Sequence, residues 1–331
     1  MRMRGYEVNI SGKMSKKSKT FITLLIFLII ITILSSCLNI KNGTNKTVES
    51  KSADAEVDSG NDTSGSFGTV EDTGQTEELH KSYPAVAIDE SGMTWKKETD
   101  YYIFYYNETP EDFVDNYISI AESGYSGIEG IFGKPTSKIK IYLAETVEEF
   151  KAVSNEVVPP GFDGSQAAGQ SIDGVVHVYK PSEFKPGNSY EIGLLHEIGH
   201  AVYFQLYPNA AKKNDWLSEG LADKSITGLD VDSYKLSSPE LKEAVEVGKF
   251  IKLADLEKNS KRTANSEGEI NFIEYISLVN FIALEFGFDK LQMMLSRYDQ
   301  GDDLVTALEA STGLSSSEFE SKWLDKIKST D

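Results

Sequence analysis

The chain has 331 residues, with 33 basic and 52 acidic side chains, one cysteine and 40% apolar residues. That length accommodates one or two domains with a sizeable core. A net charge of −19 excludes a protein built on phosphate contacts, which need a surplus of Lys and Arg, and the lone cysteine excludes a disulfide framework or a Cys-rich zinc module.

Residues 1–36 read as an address. Arg2, Arg4, Lys13, Lys16, Lys17 and Lys19 form a basic start, and translation from Met14 would leave a compact Lys-rich version of it. Phe21 to Leu34 is then an apolar run of 14 residues. A spanning helix needs roughly 20, so the run reads as the core of an export signal. It ends in Leu34-Ser35-Ser36-Cys37, small residues before a cysteine, which resembles the lipobox of bacterial lipoproteins. The resemblance implies cleavage before Cys37 and lipidation of its thiol. The alternative is a small buried thiol after an uncleaved anchor. Loss of residues 1–36 leaves 27 basic and 51 acidic side chains, a charge of −24. Acyl chains rather than charge would then hold the protein at a membrane.

Residues 37–83 are expected to be a flexible tether. Gly, Ser, Thr, Asn, Asp and Glu dominate, and Val48, Val57, Phe67 and Val70 are too few and too irregular to offset chain entropy.

The folded part divides in this reading into 84–228 and 229–331. Tyr101–Tyr106 has strand propensity. Thr109-Pro110-Glu111-Asp112 predicts a helix start, with Thr109 as cap and proline at the first helical position. Phe113, Tyr117, Ile120, Gly124, Ile128 and Ile131 follow at helical spacing, and Gly133 and Pro135 stop the helix. Residues 138–143 alternate polar and apolar, predicting a strand with one wet face. Thr146-Val147-Glu148-Glu149 is a capping box for a short helix through Val153. The Gly- and Pro-rich stretch 154–174 reads as a loop, and Val175–Lys180 as an edge strand ending at Pro181. Without a repeated βαβ rhythm, the class is α+β.

A helix predicted from about Asn188 to Leu206, with Glu191 as capping partner, contains His196-Glu197-Ile198-Gly199-His200. Residues i and i+4 share a helix face, so His196 and His200 can offer two imidazoles to one ion. Glu197 projects beside them as a general base. The chain has four histidines, and two fall in this motif; the bland alternative is a pair of core histidines. A third donor is needed to leave one position for water. Glu219, after an intervening stretch of 18 residues, supplies it in the run Trp216-Leu217-Ser218-Glu219-Gly220-Leu221-Ala222-Asp223. The linking segment turns around Pro208-Asn209 in this reading. Asp223, one helical turn after Glu219, could fix the tautomer of a ligand histidine. Gly193 and Gly199 suggest close packing of another backbone against the helix.

This combination resembles the gluzincins, closest to the aminopeptidase and leukotriene-hydrolase type and their bacterial peptidase MA-like relatives, over roughly residues 95–331. The resemblance implies a zincin-like domain, a small mixed sheet with an active-site helix, followed by an all-helical lobe. It implies one Zn²⁺ ion on His196, His200 and Glu219, with Glu197 as the catalytic base. Zinc on two neutral imidazoles and a carboxylate would bring the pKa of bound water to roughly 7; cobalt or manganese would fit the same donors less commonly. The family's motif for the substrate amino terminus is missing from Gly164-Ser165-Gln166-Ala167-Ala168-Gly169-Gln170. The family's oxyanion tyrosine falls at Phe272, with Tyr275 one turn on as a substitute or an ordinary core aromatic. An extended substrate is expected to pair with the Val175–Lys180 strand. His177 within it reads as a strand surface residue, or alternatively as an extra ligand.

Further helices are expected from Ser238-Pro239-Glu240, from Phe272 to Phe286, Leu291 to Tyr298 and Leu304 to Ala310, and from a capping box at Ser317-Glu318-Phe319-Glu320. The reading is therefore a lipid-anchored zinc metallopeptidase on the outer face of a bacterial membrane, acting on peptide or protein substrates and not on nucleic acid. A hydrolase of another amide or ester stands second. The rival of a different class is a non-catalytic surface lipoprotein that uses the same fold for binding or assembly.

Overall fold

The computed structural model describes residues 85–86, 92–155, 168–184, 188–228, 236–259 and 267–330. The expected leader, Cys37, the tether with His80, and residues 156–167 lie outside the described residues. Among the described residues, no helix is long and apolar enough to cross a membrane.

The class is α+β. One mixed sheet has strand order β1-β2-β3-β4-β6-β5, with β1 at Ala85–Val86, β2 at Trp95–Glu98, β3 at Tyr102–Tyr106, β4 at Ile139–Ala144, β5 at Ala168–Ile172 and β6 at Val175–Tyr179. β3, β4 and β6 run parallel; the other pairings are antiparallel. From Asn188 on, every regular element among the described residues is helical.

Helix α1, Glu111–Phe132, fills the crossover between the parallel strands β3 and β4. Its N-cap is Pro110, with no side-chain cap bond. Thr109 does not cap it; its hydroxyl lies 3.5 Å from the Leu143 carbonyl instead. The buried stripe is Val114, Tyr117, Ala121, Tyr125 and Ile128. It is rotated from the expected one, so Phe113 and Ile120 are only half-buried. Gly133, at φ 96°, ends the helix as expected.

β4 departs from the expected wet face: Lys140 is its one exposed residue. Ile141 and Leu143 join the main core, while Tyr142 and Ala144 join a second cluster with Tyr105, Phe150, Val153 and Tyr179. Phe150 and Val153 come from α2, Val147–Val153, whose Thr146–Glu149 capping box forms as expected. Covering the second face of the sheet with this short helix removes the alternation that solvent would impose.

The expected 154–174 loop instead contains β5, paired to β6 through the Asp173-Gly174 turn. Both turn residues have positive φ, 48° and 81°, as a tight two-residue hairpin turn requires. This also corrects the edge. β6 pairs on both sides, and β5 is the terminal strand.

Helix α3, Asn188–Leu206, has the expected bounds; the role expected of Glu191 falls outside the described side chains. The expected turn at Pro208-Asn209 is a short helix, α4, Pro208–Lys213, followed at once by α5, Asp215–Thr227. Then come α6 (Pro239–Glu246), α7 (Leu253–Leu256), α8 (Glu267–Phe286), α9 (Phe288–Gln300), α10 (Leu304–Thr312) and α11 (Ser316–Ser329). Ser238 caps α6 as expected. The last capping box uses Ser315 and Glu318, two residues before the expected Ser317. One hydrophobic core runs continuously from Phe104 and Ile128 through Leu221 to Tyr275, Phe319 and Trp323.

Candidate metal centre

Two helices build the site. α3 turns Leu194, Ile198, Ala201 and Val202 into the core, which leaves His196 and His200, one turn apart, on a neighbouring stripe. α5 brings Glu219 to them. Its first turn is fixed by Asn214, whose side-chain oxygen accepts from the Leu217 backbone N–H at 2.9 Å.

The helices approach closely because α3 carries Gly199 at the crossing. A Cβ there would collide with the Ser225 hydroxyl and lie 2.9 Å from Ser225 Cβ and 3.1 Å from Ala222 Cα. Around Gly193, by contrast, no atom of the described residues lies within 4 Å of where a Cβ would stand, so among the described residues the close packing expected there is not found.

The donor atoms converge. His196 Nε2 and His200 Nε2 are 3.1 Å apart. Glu219 Oε2 is 3.3 Å from the first, and Glu219 Oε1 is 3.6 Å from the second. Three donors about 2.0–2.1 Å from a tetrahedral cation are separated by about 3.3–3.4 Å; the two imidazole nitrogens stand near that separation, and the carboxylate meets each of them through a different oxygen. The imidazole rings stand at 86° to each other. His196 is 4% exposed, Glu219 2% and Glu197 3%.

Charge favours a cation here. Burial pushes the His196 imidazole pKa down. The Glu219 carboxylate, by hydrogen bond and by charge, and then Glu197 and Asp223, pull it up, and the net direction is up. Three carboxylates gathered around a buried imidazole attract positive charge, whether proton or metal. The residues therefore fit a metal ion: His196, His200 and Glu219 could hold one.

The other expected residues are placed as follows. Asp223 is half-buried on α5 and near enough for its charge to act on His196. Glu197 packs against β5: a Cβ on Gly169 would lie 3.3 Å from its Cγ. His177 is neither a surface residue nor a ligand. It is 3% exposed, its Nε2 lies 3.0 Å from the Val153 carbonyl, and its ring stacks on Tyr142 at 5.6 Å. Burial lowers its pKa to about 4, which keeps it neutral. Tyr275 is fully buried and its hydroxyl accepts from Asn214 Nδ2 at 2.7 Å, so it is a core residue that no substrate oxygen reaches. Phe272 lies beside Trp216, ring centroids 6.4 Å apart.

Sequence reasoning missed Ser218. Its hydroxyl lies 2.8 Å from His200 Nδ1, the ring nitrogen turned away from the other donors. Its place, directly before Glu219 in a helix opposite the histidines, was the available signal.

The chain matches no protein-family model and no curated protein.

Proposed function

We propose that the protein is a zinc-dependent hydrolase of peptide bonds, a gluzincin in a zincin-like fold with a helical second lobe, held by lipidated Cys37 on the outer face of a bacterial membrane. The observation that carries the reading is the convergence of three donor residues, with His196 Nε2 and His200 Nε2 3.1 Å apart and each within 3.6 Å of a Glu219 carboxylate oxygen, beside a buried glutamate, Glu197, that follows the first of them. The lipobox-like Leu34-Ser35-Ser36-Cys37 after an apolar run supports the anchor.

Zinc held by His196, His200 and Glu219 would supply Lewis acidity, acidifying a water and polarising the scissile carbonyl. Glu197 takes the proton of the attacking water on its carboxylate and delivers it to the leaving amine nitrogen. Its burial keeps bulk water from competing for that proton. Ser218 holds the His200 ring in place through Nδ1, and the same contact favours the tautomer whose Nε2 lone pair is free to donate. β5 is the terminal strand of the sheet and lies against Glu197 at Gly169, so an extended peptide added to that edge would run past the base.

Replacing Glu197→Gln tests this. The variant retains one bound zinc per chain and loses cleavage of a peptide library followed by mass spectrometry of the products. A parent protein that binds zinc but cuts no peptide in the library refutes the peptidase reading.

A further inference from the structure

We infer that Tyr275 of α8 is a positioning residue for the metal site: it grips α5 on both sides of Ser218 and Glu219 and so sets where the carboxylate stands relative to the two imidazoles. The inference rests on the ligand set proposed above.

The grip has two parts. On the N-terminal side, the Tyr275 hydroxyl accepts from Asn214 Nδ2 at 2.7 Å, while Asn214 Oδ1 accepts from the Leu217 N–H at 2.9 Å. One side chain thus ties the first turn of α5 to α8. Asn214 and Tyr275 are both fully buried, so water does not substitute for either partner. On the C-terminal side, Gly220 rests on the Tyr275 backbone: a Cβ there would lie 2.9 Å from both the carbonyl carbon and oxygen of Tyr275 and 3.2 Å from Ile276 N. The glycine is what lets two helix backbones approach this closely. Ser218 and Glu219 lie between these anchor points, and α3 presses on α5 from its own side at Gly199. The carboxylate that completes the donor set is therefore fixed by two helix crossings, one of which depends on Tyr275.

A metal site tolerates donor displacements of only about 0.2 Å, so slack at the start of α5 is read directly as lost affinity. An ordinary core tyrosine would behave differently: losing its hydroxyl would lower stability and leave the assembled site intact.

The experiment measures zinc affinity by competition with a chromophoric chelator, and the visible spectrum of the cobalt-loaded protein, for the full chain and its variants. Tyr275→Phe is expected to weaken zinc binding by about ten-fold, the low end for groups that orient ligands, and to alter the cobalt spectrum. Asn214→Ser keeps a capping hydroxyl but is too short to reach Tyr275, and is expected to give the same loss; the double variant adds nothing further. Asn214→Asp can accept from the Tyr275 hydroxyl and still cap α5, so it restores parental affinity. Ile327→Ala, in α11, lowers the melting temperature without moving affinity or spectrum. Should Tyr275→Phe fail to fold, the Asn214 pair decides the question by itself. Parental affinity and spectrum in Tyr275→Phe or Asn214→Ser, with a lowered melting temperature, overturns the positioning role alone. A parent chain that binds neither zinc nor cobalt overturns the ligand set, and the inference with it.

Discussion

Glu274 gives the sharpest test of the fold energetics. This α8 residue is fully buried, and its Oε1 accepts from the Ile251 backbone N–H at 2.8 Å. Its Oε2 has no hydrogen-bond partner among the described residues. Burial pushes its pKa up to about 8; the Ile251 N–H pulls it back a little, and the charge of Glu320 on α11 adds to the rise. In the unfolded chain the group titrates near 4.5. The folded state therefore binds the proton more tightly, and stability falls as pH rises from about 4.5 through about 8. At about 1.4 kcal/mol per pKa unit, the loss above pH 8 is about 3–5 kcal/mol. Glu274→Gln keeps an oxygen for Ile251 and removes the charge, at a cost of about 1 kcal/mol for burying an extra N–H. Urea unfolding at pH 5 should show the variant equal to the parent or slightly weaker, and at pH 8.5 more stable by several kcal/mol. Because both chains share every other titrating group, the difference between them isolates this one. A difference that does not change with pH would refute a protonated Glu274 in the folded state.

Gly199→Ala places a methyl 2.9 Å from Ser225 Cβ, so α5 must retreat; overpacking costs about 1–3 kcal/mol, partly offset by about 1 kcal/mol of helix propensity. Its melting temperature is expected to change little while zinc affinity drops, with partial recovery on adding Ser225→Gly; unaltered affinity would show that this crossing does not set the donor distances. Ser218→Ala removes the partner of His200 Nδ1 and is expected to weaken zinc binding about 10–100-fold with folding stability essentially retained, and equal affinity in titration calorimetry would remove Ser218 from the account.

The parts legible in the sequence are those governed by local rules. The i, i+4 histidines, the capping box at Thr146–Glu149 and the bounds of α3 follow from helix periodicity and caps, which a short stretch of chain encodes fully. The convergence of residues 196, 200 and 219 on one point was legible for a similar reason: two helices joined by a short linker have few ways to bury their apolar faces. β5 was obscured because four of its five residues, Ala168-Gly169-Gln170-Ser171, are not strand formers and only Ile172 is. Asp173-Gly174 carried the hairpin signal all the same, and the run of glycines before it concealed that signal. With β5 hidden, β6 looked like the edge, and the partner surface for an extended peptide was assigned one strand too far in.

The remaining misses share a physical cause. Tyr275, Ser218 and Gly220 owe their roles to groups 61, 18 and 55 positions away in sequence, and nothing in their immediate neighbours distinguishes a gripping tyrosine from a filling one. Their arrangement also explains why Glu219 can complete the donor set although α5 has no covalent tie to α3 apart from α4 and its flanking residues. Helix propensity fixes the rise along α5 but not its distance from α3, and a single misplacement of about 1 Å would open the site. That distance is set by side chains that are absent, at Gly199 and Gly220, and by one hydroxyl bonded to one amide. Changes at these crossings should therefore lower metal affinity with little loss of folding stability, whereas a change at an ordinary core position such as Ile327 lowers stability alone.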